Sequence, residues 1–173
     1  MYRSLLLLLF CNFSLLAIFG QQYNTVSDVS TKVFYIGEDE KEYEKLVRNY
    51  NVLLFTVCEN NMEKAFDNWS VLLKDIEDFS VKSNVDLKGV KFWMNVFWDK
   101  NGTIDYIVFY PKPNSKNMNY DLIKSMLASF VKSYQSPLKH ATKFSHYGSA
   151  AFPIISRSVW LARKSRIFGM IDY

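Results

Sequence analysis

Cysteine is nearly absent from this chain: Cys11 and Cys58 are the only two. Cys11 lies in an apolar N-terminal run, so the segment beyond it holds one thiol and cannot close an internal disulfide. Stability must therefore come from a buried core, even in an oxidising compartment. Histidine is equally scarce. His140 and His146 match no zinc-ligand spacing, with no Cys or carboxylate pair beside them at ligand distance. No GxGxxG, P-loop, GxSxG or HExxH segment occurs, and no Asp or Glu residues stand out as an acid/base pair. Accordingly no catalytic residue, metal or cofactor is expected. Charges of both signs are mixed along the chain, at a formal net +4, with no dense Lys/Arg block, which argues against a nucleic-acid footprint. There are no internal repeats, no low-complexity segment and no second apolar run of spanning length.

What the chain does have is apolar and aromatic surface to bury. Hydrophobic residues are 49% and aromatic residues 17% of 173, enough for the core of one ordinary domain and incompatible with wholesale disorder. Part of that total sits in "MYRSLLLLLFCNFSLLAIFGQQ". One charge at Arg3, an apolar stretch from Leu5 to Phe19 and the small residue Gly20 have the build of a secretory signal peptide cleaved after Gly20. Loss of residues 1–20 takes Arg3 from 21 Lys plus Arg, leaving 20 against 17 Asp plus Glu, a net +3. The expected organisation is a signal peptide at 1–20, a polar flexible lead-in at 21–30, one domain at 31–157 and a basic-aromatic tail at 158–173. The location is periplasmic or secreted, and membrane contact is confined to an uncleaved signal or the tail.

"KVFYIG" (32–37) reads as a short strand, and "EDEKEYEKLVRNY" (38–50) as a helix with acidic residues where the dipole favours them. "VLLFTV" (52–57) is a continuous apolar run that suits a buried strand or the start of a buried helix. The spacing predicts a helix over 61–82, with Met62, Phe66, Trp69, Leu73, Ile76 and Phe79 in one stripe and Asn60 with Glu63 as a capping box. A second helix is expected from Tyr120 to Tyr134, burying Leu122, Met126, Leu127, Phe130, Val131 and Tyr134 and ended by Pro137. "LKHATKFSHYGS" reads as a loop and "AAFPIIS" (150–156) as a strand in which Pro153 argues for an edge or end position.

"VKFWMNVFWDKNGTIDYIVFY" (90–110) reads as a hairpin turning at Asp99-Lys100-Asn101-Gly102. With Asp99 opposite Thr103 and strict alternation, Phe92, Met94, Val96 and Trp98 face the core with Ile104, Tyr106, Val108 and Tyr110. Trp93, Phe97, Ile107 and Phe109 then fall on the second face, and these four form the candidate binding patch. Either a partner covers them or another element of the chain does. A slip of one residue would exchange the faces.

Cys58 is the centre of the competing reading, a thiol-dependent redox protein or enzyme. A thiol between a strand and a helix N-terminus is the arrangement that lowers its pKa, and the order resembles thioredoxin-like proteins. The chain departs from that family in having no CxxC and no proline before the hairpin. Asn68-Trp69-Ser70 and Asn101-Gly102-Thr103 fit the glycosylation sequon, the first inside a helix and the second in a turn.

The hairpin "VFWDKNGTIDYIVFY", the helix from 120 and "AAFPIIS" together resemble the ββαβ C-terminal domain of TonB-type periplasmic proteins. The Pro-rich linker of that family is missing, so energy transduction is not carried over. "VCENNMEKAFDNW", "GVKFWMNVFW", "YPKPNSKN" and "KFSHYGSAAFPI" are similar to small exported proteins of Bacteroidota, a resemblance that implies envelope location and supplies no activity. The expected fold is α+β. An antiparallel sheet of ββαβ order carries both long helices on one face and follows an N-terminal strand and helix. The expected role is a non-enzymatic interaction domain for an envelope or extracellular protein partner.

Overall fold

Along the chain, the computed structural model describes residues 32–155. These run β1 (Val33–Tyr35), α1 (Glu40–Asn49), β2 (Val52–Leu53), α2 (Leu54–Val57), α3 (Met62–Lys82), β3 (Lys91–Trp98), β4 (Ile104–Pro111), α4 (Tyr120–Ser133) and β5 (Phe144–Ala151). The expected signal peptide, lead-in and tail lie outside the described residues.

Each longer helix begins where an Asx side chain satisfies a free backbone N–H. Asp39 accepts from Glu42 N at 3.0 Å, Asn61 from Lys64 N at 2.9 Å, and Asn119 from Asp121 N at 3.0 Å. The cap of α3 is thus Asn61, one residue after the expected Asn60. Within α3, Trp69, Leu73 and Ile76 are buried as the stripe predicts, but so are Ala65 and Leu72. Met62 and Phe66 are 70% and 60% exposed, so the packed face is rotated toward Ala65 and Leu72. In α4 the buried residue of the first turn is Ile123, and Leu122 points outward.

The sheet order is β1–β4–β3–β5–β2. Its centre is antiparallel, with β3 between β4 and β5. Both edges are parallel additions, β1 along β4 and β2 along β5. The sheet is therefore mixed, which corrects the expectation of an antiparallel one. The α+β class holds, and β3, β4, α4 and β5 follow in ββαβ order. The last strand is Phe144–Ala151, so half of the segment read as a loop is strand; Pro153 lies beyond it, and the strand is an inner one, between β3 and β2. "VLLFTV" divides into two strand residues and one helical turn.

The hairpin turn is held by Asp99, whose carboxylate accepts from Asn101 N at 2.8 Å and Thr103 N at 3.1 Å. Gly102 has φ +91°, and a Cβ there would lie 2.4 Å from the Leu138 carbonyl oxygen, so both conformation and space require glycine. Trp98 opposes Ile104 as expected. The next pair is Phe97 with Tyr106, so Asp105 is an inserted bulge residue. Beyond it every β4 side chain is on the face opposite to the one strict alternation assigns.

One face is the main core. Phe92, Met94, Val96, Trp98, Ile107, Phe109 and Phe144 pack there with Trp69, Leu72 and Ile76 of α3 and Ile123, Leu127 and Phe130 of α4. On the second face, α1 sets Leu46 and the following Tyr50 over Phe34, Phe97 and Val108.

Candidate functional site

The four residues expected to form one patch do not share a surface. Ile107 and Phe109 are fully buried in the main core, because the Asp105 bulge turns them inward. Phe109 meets Tyr35 and Phe92 at ring-centroid distances of 4.8 and 5.1 Å. Phe97 is on the second face as expected, but α1 covers it completely: Tyr43 and Tyr50 approach it edge-on at 6.5 and 5.2 Å. Only Trp93 reaches solvent, at 39% exposure.

Trp93 belongs to a different cluster. Tyr110 lies opposite it on β4 and Ser149 opposite it on β5. Tyr147 stacks on its ring at 5.9 Å and 17°. The Lys112 ammonium stands 3.7 Å from the Trp93 ring centroid and donates to Ser149 Oγ at 2.6 Å. Tyr110 and Tyr147 are 52% and 53% exposed. The bulge delivers Tyr110 to this face, and β5, unrecognised as strand at this point of the sequence, delivers Tyr147. One sequence signal bears on the bulge. Ile104, Ile107 and Phe109 are fully apolar while Tyr106 and Tyr110 carry hydroxyls, and only an odd step after Ile104 puts the former set in phase.

Toward α1 this aromatic shelf continues into a groove of about 520 Å³ between the helix and the sheet. Tyr43, Val47, Leu53, Asn95, Phe97 and Tyr147 are among its lining residues. Asn95 is only 6% exposed, and its Nδ2 donates to Tyr43 Oη over a long 3.5 Å. Among the described residues, nothing donates to Asn95 Oδ1. Near the other end of α1, Tyr50 Oη donates to Asp105 at 2.6 Å, and Lys143 Nζ donates to both at 3.0 Å. Burial, then the bond to Asp105, push the Tyr50 phenol up to about 12. Bonds to Tyr50 and Asp105 raise the Lys143 ammonium as well. Both groups are thus held in their protonated forms, the opposite of an activated base. The triad ties α1 to the bulge and to β5.

Cys58 follows the short α2 as its C-cap and precedes a reversal in which Glu59 and Asn60 have φ of 60° and 57°. It is 4% exposed, and Asn68 Nδ2 donates to its sulfur at 3.7 Å. Burial pushes its thiol pKa up, the direction that reduces thiolate at neutral pH. His146 packs on Trp69 at 4.6 Å, and burial lowers its imidazole pKa. His140 is in the loop before β5, hydrogen-bonded to Thr142. Among the described residues no group of three or more His, Cys, Asp and Glu is placed to hold a metal ion, and no helix is long and apolar enough to cross a membrane.

No protein-family model, curated protein or solved structure matches this chain.

Proposed function

We propose that this is an exported, non-enzymatic protein-binding domain whose contact surface is the shelf of Trp93, Tyr110 and Tyr147. The observation that carries the reading is the exposure of these three large aromatics, at 39%, 52% and 53%, on the end of a sheet face that α1 leaves open. Aromatic side chains with a polar edge offer large contact area at low entropic cost and are enriched where proteins meet. Lys112 lies at the shelf, and Lys91 stands on the same face two residues before Trp93, so a fitting partner segment is apolar and bordered by carboxylates. Export rests on the N-terminal sequence, and the partner is accordingly an envelope or extracellular protein.

The test uses a photo-reactive amino acid placed at position 93 or 110, or at Val81, which is 74% exposed on α3, as control. One cross-linked species from 93 and 110, absent from 81 and competed by the unmodified protein, is the expected result. Equal labelling from all three positions, or none, overturns the shelf as a contact surface. N-terminal sequencing of protein recovered outside the cytoplasm should begin at Gln21; a chain retaining Met1 there refutes cleavage.

A further inference from the structure

We infer that the groove between α1 and the sheet binds a small neutral ligand with a flat apolar body and one N–H or O–H donor, which Asn95 accepts. The volume, about 520 Å³, lies within the range of small-molecule sites. Its lining includes Tyr43, Val47, Leu53, Asn95, Ser145 and Tyr147 and contains no acidic or basic side chain. None of the charged residues of α1 lines the groove, and four of them pair within the helix, Lys45 with Glu42 and Arg48 with Glu44. A charged ligand would lose its hydration here with nothing to replace it. Rings of Tyr43 and Tyr147 supply surfaces against which a flat body packs.

The donor follows from Asn95. Ser145, the other buried polar side chain lining the groove, is satisfied, since its hydroxyl donates to the Tyr50 carbonyl at 2.8 Å. Asn95 Oδ1 is buried with no donor among the described residues, and a buried carbonyl oxygen without a partner is destabilising. The terminal torsion of an Asn amide is broad, so a modest turn presents that oxygen to the groove. Nothing in the main core needs an amide at position 95, because the residue faces away from α3 and α4.

The groove shares Tyr147 with the shelf but neither Trp93 nor Tyr110, and the experiment keeps the two apart. The isolated, isotope-labelled protein is titrated with indole and with indene, which has the same shape and no donor, and amide shifts are followed by NMR. Saturable shifts at Val47, Leu53, Asn95 and Tyr147 are expected, with indole about tenfold tighter, the discrimination of one neutral hydrogen bond. Asn95→Leu should remove that preference. Val47→Arg, on the 48%-exposed rim, should abolish binding of both compounds without disturbing the fold, and Val81→Ala, at a 74%-exposed position on α3, should change neither affinity. Equal affinities for the two compounds in the parent protein overturn the inference, as does absence of saturable shifts at these residues. Protection of the same amides by a cross-linked protein partner, with neither compound binding, also overturns it, in favour of a peptide groove.

Discussion

The main-core face of the sheet receives α3 and α4, of 21 and 14 residues, whereas the second face receives α1, of 10 residues. A ten-residue helix is about 15 Å long, and the eight-residue β3 spans about 26 Å. The shorter helix cannot cover the strand from end to end. Phe97, near the turn, lies beneath Tyr43 and Tyr50 and is fully buried, while Trp93, four residues earlier on the same face, is 39% exposed. Side-chain chemistry does not separate these two aromatics. The length of the covering helix does, and it divides one sheet face into a small second core, a groove and an aromatic shelf.

That contrast can be broken in three places. The largest effect belongs to the register. Phe109→Ala should destabilise the fold by about 3–5 kcal/mol, the cost of emptying a packed aromatic site, while Tyr110→Ala should cost under about 1 kcal/mol. Denaturant unfolding of the two variants checks the pair, and the reverse order would mean that the bulge at Asp105 is misplaced. The next effect divides the second face. Phe97→Ala should cost about 3 kcal/mol and release amide protection in α1 before α3 and α4, whereas Trp93→Ala should cost about 1 kcal/mol or less. Similar losses for both would show Trp93 to be core.

The smallest effect concerns the Tyr50–Asp105–Lys143 triad. Tyr50 has its phenol raised from 10.0 to about 12, so the fold favours the neutral form. Its contribution is complete below the unfolded pKa near 10 and is lost as pH climbs through 10 toward 12. The raised Lys143 loses its contribution in the same direction. Unfolding free energy should fall over this interval, with Tyr50 responsible for at most about 3 kcal/mol before solvent screening reduces it. Tyr50→Phe should flatten the decline in part. Tyr35, also raised to about 12 by burial and then by Asp121, and the raised Lys143 share the remainder. An unchanged slope in Tyr50→Phe would remove the triad from the account.

Much of this layout is local in origin. The caps Asp39, Asn61 and Asn119, the turn at Asp99 and Gly102, and the apolar periodicity of α3 and α4 act within a few residues, so single-chain patterns carry them. The bulge breaks that rule, since one inserted residue exchanges the faces of Ile107, Phe109 and Tyr110 without altering composition. The parallel pairing of the edge strands is also hidden, although the segment of β1 is legible as a strand. β1 and β2 have only three and two residues, too few to carry a signal of partner or direction, and each pairs with a strand far along the chain. Of the expected patch, Trp93 alone reaches solvent. Tyr110 and Tyr147, its neighbours on the shelf, depend on the bulge and on β5, and the groove depends on where α1 docks.

By itself, then, the sequence determined an α+β chain with a signal-like N-terminus, one thiol beyond that apolar run, two amphipathic helices and a central hairpin, because propensity, capping and turn chemistry operate over short distances. Tertiary structure alone decided which aromatics are core and which are surface. That outcome depends on a one-residue register shift and on the reach of a ten-residue helix, and both are set by contacts between segments distant in the chain.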